Sequence, residues 1–193
     1  MARTPAEREQ LEITDVAELA TWLAAHHATS TGVWLVTWKR SVHPERHVAY
    51  DAVVRECLRV GWIDSQARGV DGERSSILLT PRRPGSGWAR TNQRRVAELT
   101  EAGLMLPAGQ AVVDEARASG AWTLLDAIED LVEPPDLAAA LDADPEARRR
   151  WDAFPRSPRR AALVWLADAK RPATRDTRVA AIVDRAAQGL RTP

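Results

Sequence analysis

The chain has 193 residues and carries 27 basic and 27 acidic side chains, so its formal charge is zero. A protein that coats nucleic acid needs a basic excess to displace counterions, and neutrality leaves only a local patch for such a role. The hydrophobic share of 45% is that of a folded domain rather than a disordered chain, and one cysteine, Cys57, excludes an intrachain disulfide and fits a reducing, cytoplasmic compartment.

Met1 to Gln10 is charged and has no apolar stretch behind it, unlike a secretory signal. No later apolar run approaches the roughly 20 residues that a membrane-crossing helix needs. Asp15 to His27 predicts a helix, with Thr14 or Asp15 as cap and Val16, Leu19, Trp22 and Leu23 as its apolar stripe. Val33 to Lys39 predicts a strand that is apolar on both faces. Ser41 to His47 is a polar loop interrupted by Pro44. Tyr50 to Val60 predicts a helix with Val53, Val54, Cys57 and Leu58 on its apolar face, stopped by Gly61. Trp62 to Arg68 and Ser75 to Thr80 predict two strands joined at Asp71-Gly72, a strong hairpin signal. Together these elements predict a small antiparallel sheet of about three strands packed with helices, an α+β arrangement.

Beyond the sheet the pattern turns helical. Helices are expected from Trp88 or Thr91 to Glu101, from about Ala108 to Ala118, and from Trp122 to Leu131. Glu133-Pro134-Pro135 breaks the pattern and marks a boundary. It divides the chain into an α+β domain, 1–132, and a helical module, 133–193. In the module Asp136 to Leu141, Pro145 to Phe154, Pro158 to Ala169 (capped by Ser157) and Thr174 to Gln188 read as helices. Its charge is segregated. Nine acidic and three basic residues lie from Asp126 to Asp152, and nine basic and three acidic from Arg156 onward. That asymmetry points to an acidic partner for the last helices, or to the acidic segment itself.

Thr80-Pro-Arg-Arg-Pro-Gly-Ser-Gly-Trp-Ala-Arg-Thr-Asn92 is the stretch with most chemical potential. Six arginines and no acid lie between Arg74 and Ala97. Gly85, Ser86 and Gly87 followed by a helix could cradle an anion on free backbone amides. Arg82 and Arg83 would add bidentate contacts to phosphate or carboxylate, and Trp88 could stack on a planar ligand. The same residues also read as a plain connector with Ser86 as a helix cap. A second cluster, Gly61-Trp62-Ile63-Asp64-Ser65, could present a carboxylate and a hydroxyl to a pocket, or satisfy backbone donors in a turn.

The other candidates are weaker. His43 and His47 flank Pro44 in a loop, which argues against a helical metal pair. Cys57 on an apolar helix face reads as inert core. Of eight tryptophans most must fill the core, Trp34, Trp38 and Trp62 among them. No Gly-x-Ser-x-Gly, Walker or dinucleotide fingerprint occurs, and neither a cofactor nor a metal is expected.

Several motifs taken together resemble the YdeI/OmpD-associated, or bacteriocin-protection, family. They are Gly32-Val-Trp-Leu35, Tyr50-Asp-Ala-Val-Val54, Gly61-Trp-Ile-Asp-Ser65, Thr80-Pro-Arg-Arg-Pro-Gly-Ser86 with Trp88 and Asn92, and Met105 with Pro107, Ala108 and Gly109. Pro135-Asp-Leu137, Trp165 and Ala169-Lys-Arg-Pro-Ala-Thr-Arg175 resemble its C-terminal helical module. The resemblance spans about residues 15 to 190 and implies an α+β part followed by helices, with a link to survival under antimicrobial or envelope stress. It brings no established reaction. Ser76-Ile-Leu-Leu79 departs from the aromatic-rich strand that members often carry there.

Three functions follow as expectations. The first is a cytoplasmic resistance or stress-associated protein that binds a small anionic or aromatic ligand through Arg82, Arg83, Ser86, Trp88 and Asn92, backed by Trp62, Asp64 and Ser65. The second is an enzyme acting on a toxic metabolite, with Asp64 as general acid or base and Arg82 or Arg83 stabilising negative charge. The third is a protein- or nucleic-acid-binding module using Arg90, Arg94, Arg95 and the basic C-terminal helices.

Overall fold

The computed structural model describes residues 8–191, which divide between Thr123 and Leu124 into two compact units. The N-terminal unit is α+β, and the second is helical.

In the first unit, α1 (Val16–His26) opens with a capping box. The Asp15 carboxylate accepts from the Ala17 amide at 2.9 Å, and Glu18 reaches back to the amides of Thr14 and Asp15. Its buried stripe is Leu19, Trp22 and Leu23. The sheet runs β1 (Gln10–Glu12), β2 (Val33–Trp38), β4 (Arg74–Pro81), β3 (Trp62–Gly69) from edge to edge. β2, β4 and β3 are the antiparallel strands expected from sequence, and β1 adds a short parallel edge on β2. Three residues, Gln-Leu-Glu, are too few to show a period of two.

Val33, Leu35, Leu79 and Trp62 share the inner face of the sheet and pack against Leu19, Trp22 and Leu23 of α1 and Val53 and Cys57 of α2 (Tyr50–Arg59). The neighbouring row of α2, Val54 and Leu58, enters a second core. That core holds Val96 and Leu99 of α3 (Arg90–Glu101), Val113 and Ala116 of α4 (Pro107–Ala118), and Trp88. α2 is therefore buried along two adjacent rows, each side chain contributing about 1.5–3 kcal/mol. Gly109 permits the closest approach, since a Cβ there would stand 2.7 Å from the Leu58 carbonyl oxygen. The Asp71 carboxylate closes the β3–β4 hairpin by accepting from the amides of Glu73 and Arg74.

The helical unit contains α5 (Asp126–Glu129), α6 (Pro135–Asp142), α7 (Pro145–Ala153), α8 (Arg156–Ala167) and α9 (Pro172–Ala187). Proline occupies the first turn of α6, α7 and α9, where its missing N–H costs no helical hydrogen bond. Leu137, Leu141, Trp151, Leu163, Leu166 and Ile182 form the core, and Leu125, Ile128 and Leu131 pack with it. The unit thus begins ahead of the Pro134-Pro135 pair. The helix expected over Trp122–Leu131 shrinks to the four residues of α5: residues 122–125 are turns, and a left-handed φ of +57° at Leu131 prevents continuation beyond it. Ser157 lies inside the first turn of α8 rather than capping it, because Pro155 enters extended and stands as N-cap.

The charge asymmetry resolves within this unit. Arg160 meets Glu129 at 2.7 Å, Arg159 meets Glu133 at 3.2 Å and Arg175 meets Asp136 at 2.5 Å. The basic helices face the acidic segment of their own chain.

Candidate functional site

A register shift between Asp64 and Ala67 places one extra residue in β3. Ahead of it the strand alternates, so Trp62 and Asp64 point to the helix-covered face and Ile63 and Ser65 to the other. The residues singled out in sequence are divided by this geometry.

Trp62 is 1% exposed, donates Nε1–H to the His27 carbonyl at 3.2 Å and meets Trp22 edge-on at 5.8 Å. It is core. Asp64 accepts a hydrogen bond from the Tyr50 hydroxyl at 2.8 Å. Burial, then the bond to Asp64, pushes the Tyr50 phenol up to about 12, so at neutral pH Tyr50 is a donor and one Asp64 oxygen is engaged. Asn92 accepts from Arg95 at 2.8 Å, and Arg95 also donates to Asp51 at the start of α2. Asn92 thereby ties α3 to α2 through an ion network that continues to Arg55 and Glu98.

The Pro-Arg-Arg loop is anchored from within. Arg82 lies over the Trp88 ring at 3.7 Å and donates to the Gly87 carbonyl at 2.5 Å. Burial pulls its guanidinium down to about 10. Trp88 is 1% exposed, with Trp122 at 5.0 Å on the ring as well. The stacking expected of Trp88 toward a ligand is taken up by Arg82 and Trp122. The void beneath this part of the loop is about 10 Å³, room for a single water. Ser86 donates to the Arg83 carbonyl at 2.7 Å. α3 begins only at Arg90, with Ala89 as N-cap, so Gly85 and Ser86 do not present helix N-terminal amides. The Ser86 amide also bonds Arg83.

Three of the named residues do meet. Ser65, Arg83 and Ser86 line a cleft of about 720 Å³ over the outer face of the sheet. Ile63, Leu78, Thr80 and Pro81 form its floor, and the connection Ala28–Thr31 between α1 and β2 forms one side. Arg8 completes the wall. Its Nε and Nη1 are buried and have no hydrogen-bond partner among the described residues, an arrangement that leaves two charged donors unsatisfied there. Gly32, at φ +143°, makes room for it. A Cβ at Gly32 would collide with the Arg8 guanidinium and stand 2.8 Å from the Leu79 carbonyl and 2.9 Å from Thr80 Cγ2. The cleft therefore offers two guanidinium groups, the hydroxyls of Thr31 and Thr80, and an apolar floor.

Reading the sequence missed Arg8 and the Thr29-Ser30-Thr31 side of the cleft. The hydroxyl run ahead of Gly32 was the one local signal, and Arg8 carried none. Arg82 and Arg83 both border the small void beneath the loop, but of the two only Arg83 also lines the cleft, and Asp64 lines neither space. Burial raises the thiol of Cys57, which holds it protonated in the core. Among the described residues no group of three or more His, Cys, Asp or Glu side chains could hold a metal, and no helix is long and apolar enough to cross a membrane.

Residues 11–112 match the family model described as Domain of unknown function (DUF8412). Residues 130–189 match the family model described as Bacteriocin-protection, YdeI or OmpD-Associated. The resemblance to that family is therefore carried by the helical part, while the α+β part matches a model of its own. No curated protein and no solved structure matches the chain.

Proposed function

We propose, from the premise that the chain belongs to the DUF8412 family and ends in a bacteriocin-protection, YdeI or OmpD-associated module, that it is a cytoplasmic stress-associated protein whose α+β unit binds a small organic anion. The ligand carries a carboxylate or phosphate and an apolar, ring-sized body. Arg8 and Arg83 hold the anionic group, Thr31 and Thr80 donate to it, and Ile63 and Leu78 carry the apolar body.

One observation supports this above the rest: Arg8 stands at the edge of a cleft with its Nε and Nη1 buried and unpartnered among the described residues. An anion in the cleft would offer the Arg8 guanidinium a charge-assisted hydrogen bond. The cleft volume of about 720 Å³ falls in the range of roughly 300–1,000 Å³ typical of ligand pockets. The enzymatic reading, with Asp64 as acid or base beside Arg82 or Arg83, draws less support, because Asp64 and Arg83 open to different faces of the sheet.

The test is a thermal-shift titration with phenyl phosphate, benzoate and adenosine monophosphate, on the wild-type chain and on Arg8→Gln and Arg83→Ala. A ligand at 100 times its Kd stabilises the folded state by about 2.7 kcal/mol. The expected result is a raised Tm for at least one compound in the wild type, lost in both variants. No shift with any of the three, or a shift that persists in both variants, overturns the assignment. The mass of a binding compound after prolonged incubation separates sequestration from turnover.

A further inference from the structure

The helical unit carries a groove of about 570 Å³ between α6 and α9 that the anion cleft does not involve. Its floor is apolar and shallow: Ala140 of α6, with Val179, Ala180 and Val183 of α9. Carboxylates stand at both ends, Asp136 and Asp176 at one, Asp144 and Asp184 at the other. Along α9 the series Asp176, Val179, Ala180, Val183, Asp184 follows the i, i+3, i+4, i+7, i+8 rule, so all five share one face. Eight residues of helix separate the two aspartates by about 12 Å.

The carboxylates differ in what already engages them. Asp136 is held by Arg175 at 2.5 Å, and Asp144 caps α7 by accepting from the amides of Glu146 and Ala147. Asp184 takes only a neutral donor, Gln188 at 2.9 Å. Asp176 is exposed and has no ion-pair partner among the described residues.

An apolar floor with one carboxylate outside any ion pair at each end, Asp176 and Asp184 among the described residues, is complementary to one kind of surface. We infer that this groove docks a cationic amphipathic helix, whose apolar side chains lie on Val179 and Val183 and whose Lys or Arg residues, seven or eight positions apart, meet Asp176 and Asp184. Helix-in-groove recognition supplies affinity through the apolar anchors. The flanking charges supply orientation and discrimination against acidic partners. The two alanines leave the space that the anchors fill.

The experiment follows fluorescence anisotropy of a fluorescein-labelled 15-residue helix of leucine and lysine, with leucines on one face, against the full chain. Controls are a leucine–glutamate helix of the same pattern and a leucine–lysine peptide with its order scrambled. The variants are Asp176→Asn/Asp184→Asn and Ala180→Arg, all at exposed positions, with far-UV circular dichroism to confirm folding. The inference expects binding of the amphipathic lysine helix alone. The double variant should weaken it roughly fivefold, the size of two exposed ion pairs, and Ala180→Arg, which fills the groove with a cation, should remove it. Equal binding of the glutamate or scrambled peptide, or affinity unchanged in both variants, overturns the inference. So does absence of binding, or a dimer in sedimentation that Ala180→Arg abolishes, which would make a second copy the occupant. If a variant fails to fold, the contrast between lysine and glutamate helices on the wild type decides alone.

Discussion

The core of the helical unit and the outer sheet of the α+β unit use arginine differently. In the helical unit Arg148, Arg159, Arg160 and Arg175 each meet a carboxylate, and the residual charge of its α6–α9 groove is negative. On the loop and outer sheet of the α+β unit, Arg68 and Arg82 lie over the rings of Trp34 and Trp88, each at 3.7 Å, and Arg8 and Arg83 line a cleft that contains no carboxylate. A guanidinium over a ring keeps its charge uncancelled. The contrast shows that arginine content alone says little about ligand charge; what matters is whether an acid lies within reach in the fold. Arginines without a carboxylate line the cleft of the α+β unit and aspartates line the groove of the helical unit, although the whole chain is neutral.

That contrast can be broken most forcefully at Glu133. It is 14% exposed and accepts from Arg148 at 2.8 Å, Arg159 at 3.2 Å and the Trp151 indole at 2.6 Å. Burial pushes its carboxyl upward, but the hydrogen bonds from Arg148 and Trp151 outweigh it and hold the group below the usual range. Glu133→Ala should cost about 3 kcal/mol, because it strands buried charge, read as a lower denaturant midpoint. Since the folded value is depressed, the stabilisation is complete above the ordinary glutamate range and is lost as pH falls through it into the folded range. Acid titration should therefore erase most of the difference between Glu133→Gln and wild type.

A smaller effect is expected on the other side of the comparison. Gly32→Ala meets a left-handed backbone and displaces Arg8. A loss of about 1–2 kcal/mol in stability is expected, together with loss of any anion-induced thermal shift.

Tyr50 is the only tyrosine in the chain, so ultraviolet absorbance reads its ionisation directly. The midpoint should lie near 12 and fall toward the ordinary 10 in Asp64→Asn. A phenol raised in the folded state stabilises below its unfolded value, and that contribution disappears as pH rises through the folded one.

The smallest effect sharpens the contrast. Arg83→Ala should change stability by less than about 0.5 kcal/mol, as surface substitutions do, while abolishing the anion response. A large loss of stability there would make Arg83 a structural residue like those of the helical unit.

Local pattern by itself determined much of this protein. The Asp15 cap, the Val53/Cys57 and Val54/Leu58 rows, the stop at Gly61 and the hairpin at Asp71-Gly72 all act within a few residues, over distances where spacing translates directly into geometry. The neutral net charge and the basic loop before α3 were equally plain. What the tertiary structure alone decided was which neighbour each polar group would meet. Arg82 stacks on Trp88, while Arg8 reaches Gly32 across 24 positions of sequence and its Nε and Nη1 find no acceptor among the described residues. Which face of the sheet the helices cover decides that Trp62 and Asp64 point inward and Ser65 outward. Burial and pairing depend on contacts between segments distant in the chain, and no periodicity records them.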